Sequence, residues 1–249
     1  MDQENIRKTE SDVSNESKSE EWFSRQRCST MERKCFDKSF IKDKPVIWLM
    51  GPTGSGKGTQ CDKFRSKYGL IQLSSGELMR NEVLEGTDRS LSLVETMKEG
   101  NPVTNSIVID VVARAIITSA EESKGFILDG FPTDLEQAEE FVREFGLPNL
   151  VIHCNCNNTI LRERLIGKNN FDDNDEAIKN RFNIWSERTA PVLEKYKAFN
   201  VDANKSREEV FCQIEEIVLK HFDLKARGDQ NEMSVEELED IISKSRKTL

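Results

Sequence analysis

The chain opens with some forty residues in which apolar positions are scarce, then changes character at Pro45-Val46-Ile47-Trp48-Leu49-Met50. A short apolar run closed by a glycine-rich turn is the pattern of a strand buried on both faces, as in parallel sheets. Residues 1–44 hold too few apolar side chains to offset the entropy of ordering them, and a disordered charged tail is predicted. Its first 21 residues carry seven acids against three bases, and residues 22–44 reverse the balance with seven bases against three acids. That split suits a solvated linker or a docking segment for a protein partner.

Beyond the first strand, helical spacing from Lys57 to Tyr68 stops at Gly69, and Leu70–Leu73 reads as a second short strand. Helices are predicted over Gly76–Glu85 and Asp88–Glu99, each followed or closed by a glycine, Gly86 and Gly100. Thr104–Ala120 is rich in β-branched residues that favour strand, but its length decides for helix. Phe126–Asp129 and Leu150–Cys154 are predicted strands with a helix from Asp134 to Phe145 between them. After Asn157 come a helix to Leu165, a polar turn over Lys168–Asp173 and a long helix through Tyr196. A last strand at Phe199–Val201 and a last helix at Arg207–His221 follow. Five strands alternating with helices predict an α/β fold, a parallel five-stranded sheet covered on both faces. The folded domain is expected over 45–222. In the extension 223–249, Ser234-Val235-Glu236-Glu237 is a capping box opening a short amphipathic helix, with Val235, Leu238, Ile241 and Ile242 on one side.

Composition narrows the function classes. The formal net charge of -9 gives no global positive field for a nucleic-acid backbone or an anionic membrane surface, so phosphate must be caught locally. No stretch reaches the roughly 20 apolar residues that cross a bilayer. Six cysteines and two histidines lack metal-ligand spacing, and Cys154 and Cys156 alternate along a strand as small buried hydrophobes. The early acids at Asp2, Glu4 and Glu10 are unlike a leader peptide, and cytosol is the expected address.

The local catch is Gly51-Pro52-Thr53-Gly54-Ser55-Gly56-Lys57-Gly58-Thr59, set between a predicted strand and a predicted helix. Its glycines let backbone N–H groups converge on phosphate oxygens, the helix N-terminus adds a positive dipole end, and Lys57 supplies a mobile charge. The fold class is therefore of the P-loop NTPase type, three layers α/β/α. Gly54, Ser55, Gly56, Lys57, Gly58 and Thr59 are the candidate phosphate-binding residues. Position 58 is glycine, with the hydroxyl displaced to Thr59.

Gly56-Lys57-Gly58-Thr59-Gln60, then Leu73-Ser74-Ser75-Gly76-Glu77-Leu78-Met79-Arg80, then Asp129-Gly130-Phe131-Pro132 stand in order along the chain. Together they resemble the adenylate kinase family in its short, animal cytosolic form, through Asp172-Asp173-Asn174 and Arg181 to about residue 220. The resemblance implies transfer of the γ-phosphoryl of ATP to AMP with magnesium. It implies a monomer with a monophosphate-binding arm at 74–103 and a lid at 166–174. Lys57, Arg181, Lys168 and Asp129 fall on its catalytic positions. Asp129, through water, and Thr59 fall where magnesium is held, and Arg164 where the ATP base is stacked. Ser75, Gly76, Arg80 and Gln137 fall on AMP positions. The related UMP/CMP kinases carry alanine and asparagine where this chain has Ser75 and Gln137, which favours AMP.

The sequence also departs from the family. Thr133 stands where an arginine contacts the AMP phosphate, Lys168 replaces a lid arginine, and Asn170 replaces the arginine before the Asp-Asp pair in a lid shortened by about four residues, a resemblance-based count whose mechanistic weight lies in lost phosphate contacts. Three readings follow: an AMP kinase of reduced activity, a nucleotide-binding pseudokinase serving as a regulatory or scaffold module, and a kinase of another monophosphate.

Overall fold

The computed structural model describes residues 41–86, 88–165 and 174–224. Lys168, Asn170, nearly all of the 166–174 lid and the helix expected near Val235 lie outside them. Five strands run β1 (Val46–Met50), β2 (Ile71–Ser74), β3 (Phe126–Asp129), β4 (Leu150–Asn155) and β5 (Phe199–Asp202). They form one sheet in the order β2-β3-β1-β4-β5, every pair parallel. The helices are α1 (Lys57–Tyr68), α2 (Ser75–Leu84), α3 (Asp88–Lys98), α4 (Asn105–Ser119), α5 (Leu135–Phe145), α6 (Asn158–Leu165), α7 (Asp175–Ile184), α8 (Ala190–Lys195) and α9 (Arg207–His221).

All five residues of β1 are buried because the strand is covered on both faces. Alternation sends Val46, Trp48 and Met50 into one core, with α4, α5 and the aromatic group Phe131, Phe141 and Phe145. Ile47 and Leu49 enter the other, with Phe64 and Tyr68 of α1 and Val210, Ile214 and Val218 of α9. Trp48 meets Phe141 edge-on at 5.5 Å between ring centroids and Phe131 at 6.1 Å, so the floor beneath the carboxyl end of the sheet is a packed aromatic cluster. Cys61, Cys154 and Cys156 are buried free thiols, and burial pushes Cys154 up to about 12.

Two details differ from the sequence pattern. Residues 41–44, counted with the N-terminal tail, form a turn in which Ile41 is buried and Lys44 Nζ donates to the carbonyls of Ala120 and Ser123. The single long helix through Tyr196 is instead α7, a π-helical segment Trp185–Thr189, and α8. Pro191 has no N–H and its ring crowds the carbonyl four residues earlier, which favours a wider turn here. The N–H of Ala190 accordingly reaches the carbonyl of Trp185.

Phe141→Ala removes a fully buried ring that touches Trp48, Phe131 and Phe145. We expect a loss of about 3–5 kcal/mol of unfolding free energy. Urea unfolding followed by far-ultraviolet circular dichroism checks this, and a loss below about 1 kcal/mol would mean that the ring is not part of the core.

Candidate active site

The strand order reverses direction at β1, and ligands of open parallel sheets bind beyond the carboxyl ends of strands at such a switch. Leu49 pairs with Asp129, and Ser74 pairs with the same residue from the other side. This register brings the end of β3 between the glycine-rich loop after β1 and the start of α2. A cleft of about 410 Å³ opens there.

Three loop glycines owe their identity to the turn. Gly54 has φ +86° and a Cβ would lie 2.9 Å from the carbonyl oxygen of Leu161. Gly56, the residue before α1, has φ +90°, and at Gly51 a Cβ would come within 2.8 Å of the Cys154 carbonyl oxygen. L-residues other than glycine seldom adopt the first two conformations. Lys57 folds back over this turn, its Nζ donating to Gly51 O at 2.8 Å and Pro52 O at 3.1 Å, with Ser55 Oγ at 3.5 Å. Gly58 and Thr59 follow in the first turn of α1, whose first turn contains no acid to oppose an anion.

Asp129 accepts from Gln72 Nε2 at 3.2 Å and lies beside Gly58. Across the cleft, Ser74 caps α2 and Ser75 Oγ donates to Gly130 O at 3.0 Å, tying α2 to the loop after β3. The guanidinium of Arg80 lies over Gly76, where a Cβ would sit 3.5 Å from Nη1. Arg181 of α7 reaches the cleft lining, as does Gln137 of α5, which is 1% exposed. Gln137 is thus a buried side chain in the wall.

Lys57, Gly54, Gly56, Gly58, Thr59, Ser75, Gly76, Arg80, Asp129, Gln137 and Arg181 therefore meet around one cleft. Ser55 lies just beneath, almost fully buried. Arg164 is not in that lining. It stands beside Gly56, its guanidinium donating to the carbonyls of Ala203 at 2.9 Å and Lys205 at 3.4 Å.

Sequence reasoning missed four contributors. Gln72 holds the Asp129 carboxylate, and alternation along a strand gave no sign of it. Glu77, within a quoted motif but given no role, lines the cleft. Although the residue as a whole is exposed, desolvation against the wall pushes its carboxyl up, Arg80 opposing and Asp129 adding. Trp185 enters the lining from the π-helical segment. Asn105, the first residue of α4, contacts Gln137. The residues after α3 and helix α7 also touch: Gly100 packs so close to Ala177 that a Cβ would lie 2.6 Å from its Cα. Asn174 and Asn180 add hydrogen bonds to the carbonyls of Lys98 and Glu99.

The family model for adenylate kinase matches residues 49–201. Adenylate kinase isoenzyme 1 of Cyprinus carpio is 35% identical over 187 residues, 74% of this chain and 96% of its own. The human isoenzyme 1 is 36% identical over 182 residues, 70% and 94%, and that of Caenorhabditis elegans 36% over 196 residues, 74% and 93%. A glycine turn, a lysine and an acid brought together by parallel strand pairing, with a family match that runs from the end of β1 into β5, make the chain a member of the adenylate kinase family of nucleoside-monophosphate kinases.

Proposed function

We propose that the enzyme transfers the γ-phosphoryl of ATP to AMP, giving two ADP. One observation carries the reading: a single cleft is lined both by the glycine loop with Lys57 and by Arg80 with Gln137, so one phosphate chain and one monophosphate can meet over Asp129. Residues 74–103 serve as the acceptor arm and 166–174 as the lid of the folded domain 45–222, and the flanking tails serve a protein partner. The protein acts as a cytosolic monomer. No helix among the described residues is long and apolar enough to cross a membrane.

The loop N–H groups and the α1 N-terminus hold the donor phosphates, and Lys57 exchanges its bonds to Gly51 and Pro52 for phosphate oxygens. Arg80 grips the AMP phosphate, and Ser75 and Gln137 lie at the base. Arg181 neutralises charge on the transferring group. The donor set suits magnesium, a hard cation that binds through few carboxylates plus phosphates and water, because Asp129 and Thr59 offer one carboxylate and one hydroxyl. Among the described residues no group of three or more histidines, cysteines or acids is placed to hold a metal ion. Bound magnesium would neutralise charge on the phosphates. The protein's part is positioning and the exclusion of water.

Thr133 limits the rate. Its N–H and hydroxyl face Gln137 Oε1, and its carbonyl accepts from Thr189 Oγ1 at 2.6 Å, so the residue is committed to the cleft wall. One arginine at a phosphoryl transition state contributes about 10³ to 10⁵ in rate in P-loop enzymes. Turnover well below that of a fully armed relative is the expected result.

A coupled assay with ATP, magnesium and AMP, CMP, UMP or GMP tests the reading, with AMP the preferred acceptor. Lys57→Met and Asp129→Asn should each lower kcat by at least about 10²-fold. Retained binding of ATP and AMP with no product would show binding without transfer, and turnover untouched in Lys57→Met would sink the proposal. A second check concerns the loop: Gly54→Ala should weaken ATP at least about 10-fold in calorimetry, since the left-handed turn costs an L-residue about 1–2 kcal/mol before the contact with Leu161 is counted. Unchanged affinity would mean the turn's shape is not what holds phosphate.

A further inference from the structure

The wall opposite the loop contains a hydrogen-bond relay that runs between two helices 32 residues apart in sequence. Thr133 N donates to Gln137 Oε1 at 2.7 Å and Thr133 Oγ1 lies 3.3 Å from the same oxygen. Gln137 Nε2 donates to Asn105 Oδ1 at 3.2 Å. Asn105 Nδ2 in turn donates to Asp134 Oδ1 at 3.4 Å and Glu136 Oε2 at 3.3 Å. Asp134 is itself held in place as the cap of α5, its Oδ1 accepting the N–H of Gln137 at 2.8 Å.

The polarity of this relay is fixed from both ends. A backbone N–H can only donate, so the Gln137 atom facing Thr133 is the carbonyl oxygen and the amine faces away. Carboxylates can only accept, so the Asn105 amine faces Asp134 and Glu136 and its oxygen is left for Gln137. The two constraints meet without conflict at the Gln137–Asn105 bond. An isolated glutamine amide can turn over and present either edge at little cost, but here turning would set Nε2 against the Thr133 N–H and Oε1 against Asn105 Oδ1. A buried side chain cannot recover those losses from water.

Counting sites shows what the relay leaves for a ligand. Both acceptor positions of Oε1 are engaged by Thr133, and one of the two Nε2 hydrogens by Asn105. A single N–H donor remains. We infer that Asn105 and Thr133 are positioning residues that lock Gln137 as a one-hydrogen donor, so that the acceptor site selects a base whose ring nitrogen carries a lone pair. Adenine presents such a nitrogen at N1. Hypoxanthine, of similar shape, carries a hydrogen there and would set donor against donor. The inference rests on the reading of this cleft as the AMP site.

Equilibrium binding of AMP and IMP, measured by calorimetry on the full chain, tests it without depending on turnover. The wild type should prefer AMP by at least about 10-fold, since a site built around one hydrogen bond rejects the analogue that cannot complete it. Asn105→Ala should lower the AMP/IMP ratio by about 5-fold or more, within the range that one hydrogen bond accounts for. Asn105→Ser offers a hydroxyl acceptor toward Nε2 without setting a new charge beside Asp134 and Glu136, and should retain the ratio. Thermal unfolding of each variant verifies that the protein is folded. Gln137→Leu separates the two levels of the argument. If it leaves both affinities unchanged, the base does not sit here, and the AMP reading and the relay fail together. If Gln137→Leu abolishes the preference while Asn105→Ala leaves it intact, the relay alone is overturned. Equal loss in Asn105→Ala and Asn105→Ser also overturns it, because a general disturbance of the α4 terminus would then explain both.

Discussion

Parallel pairing of β1 between β3 and β4 is the constraint on which the rest depends. The strand has no solvent side, so a shift of one residue would exchange its two cores, sending Trp48 toward α1 and Ile47 toward the aromatic floor. Register is therefore fixed by volume on both faces. Because Leu49 lies against Asp129 and Met50 against His153, that register also sets which residues border the glycine turn. The chemistry of the cleft is a by-product of how a five-residue strand fills space.

Much of this could be read along the chain. Strands β1 and β3 are short apolar runs ended by glycine or Asp-Gly, and α9 has a Ser206–Glu209 capping box to mark its start. In α4, β-branched residues favoured strand, yet the buried Val108, Val111, Val112, Ala115 and Ile116 recur at helical spacing, and packing overrode propensity. The glycine loop was legible because its demand is on the backbone, and only glycine answers a positive φ cheaply.

What escaped the sequence were the side-chain contacts between distant segments that no motif carries. Arg164 gives no sign along the chain of its tie to the carbonyls of Ala203 and Lys205. Asn105 looks like an ordinary first-turn polar residue until α5 is packed against α4. The π-helical segment had a cue in Pro191, but a proline near a helix can stop it, kink it or widen it, and only the neighbours choose. Here the choice carries Thr189 to Thr133 and Trp185 to the cleft.

The inward fold of Lys57 has a consequence for thermodynamics. This ammonium holds two carbonyls of its own loop, so on the proposed reading phosphate binding would exchange one set of bonds for another. The measured affinity is a difference between the two sets and falls short of the strength of a lysine–phosphate contact. Replacing the lysine acts on both sides of that difference, because the loop also loses the brace that keeps its carbonyls satisfied. Part of any change in binding will then report the shape of the waiting loop, as a cost of organisation that the native side chain had already met.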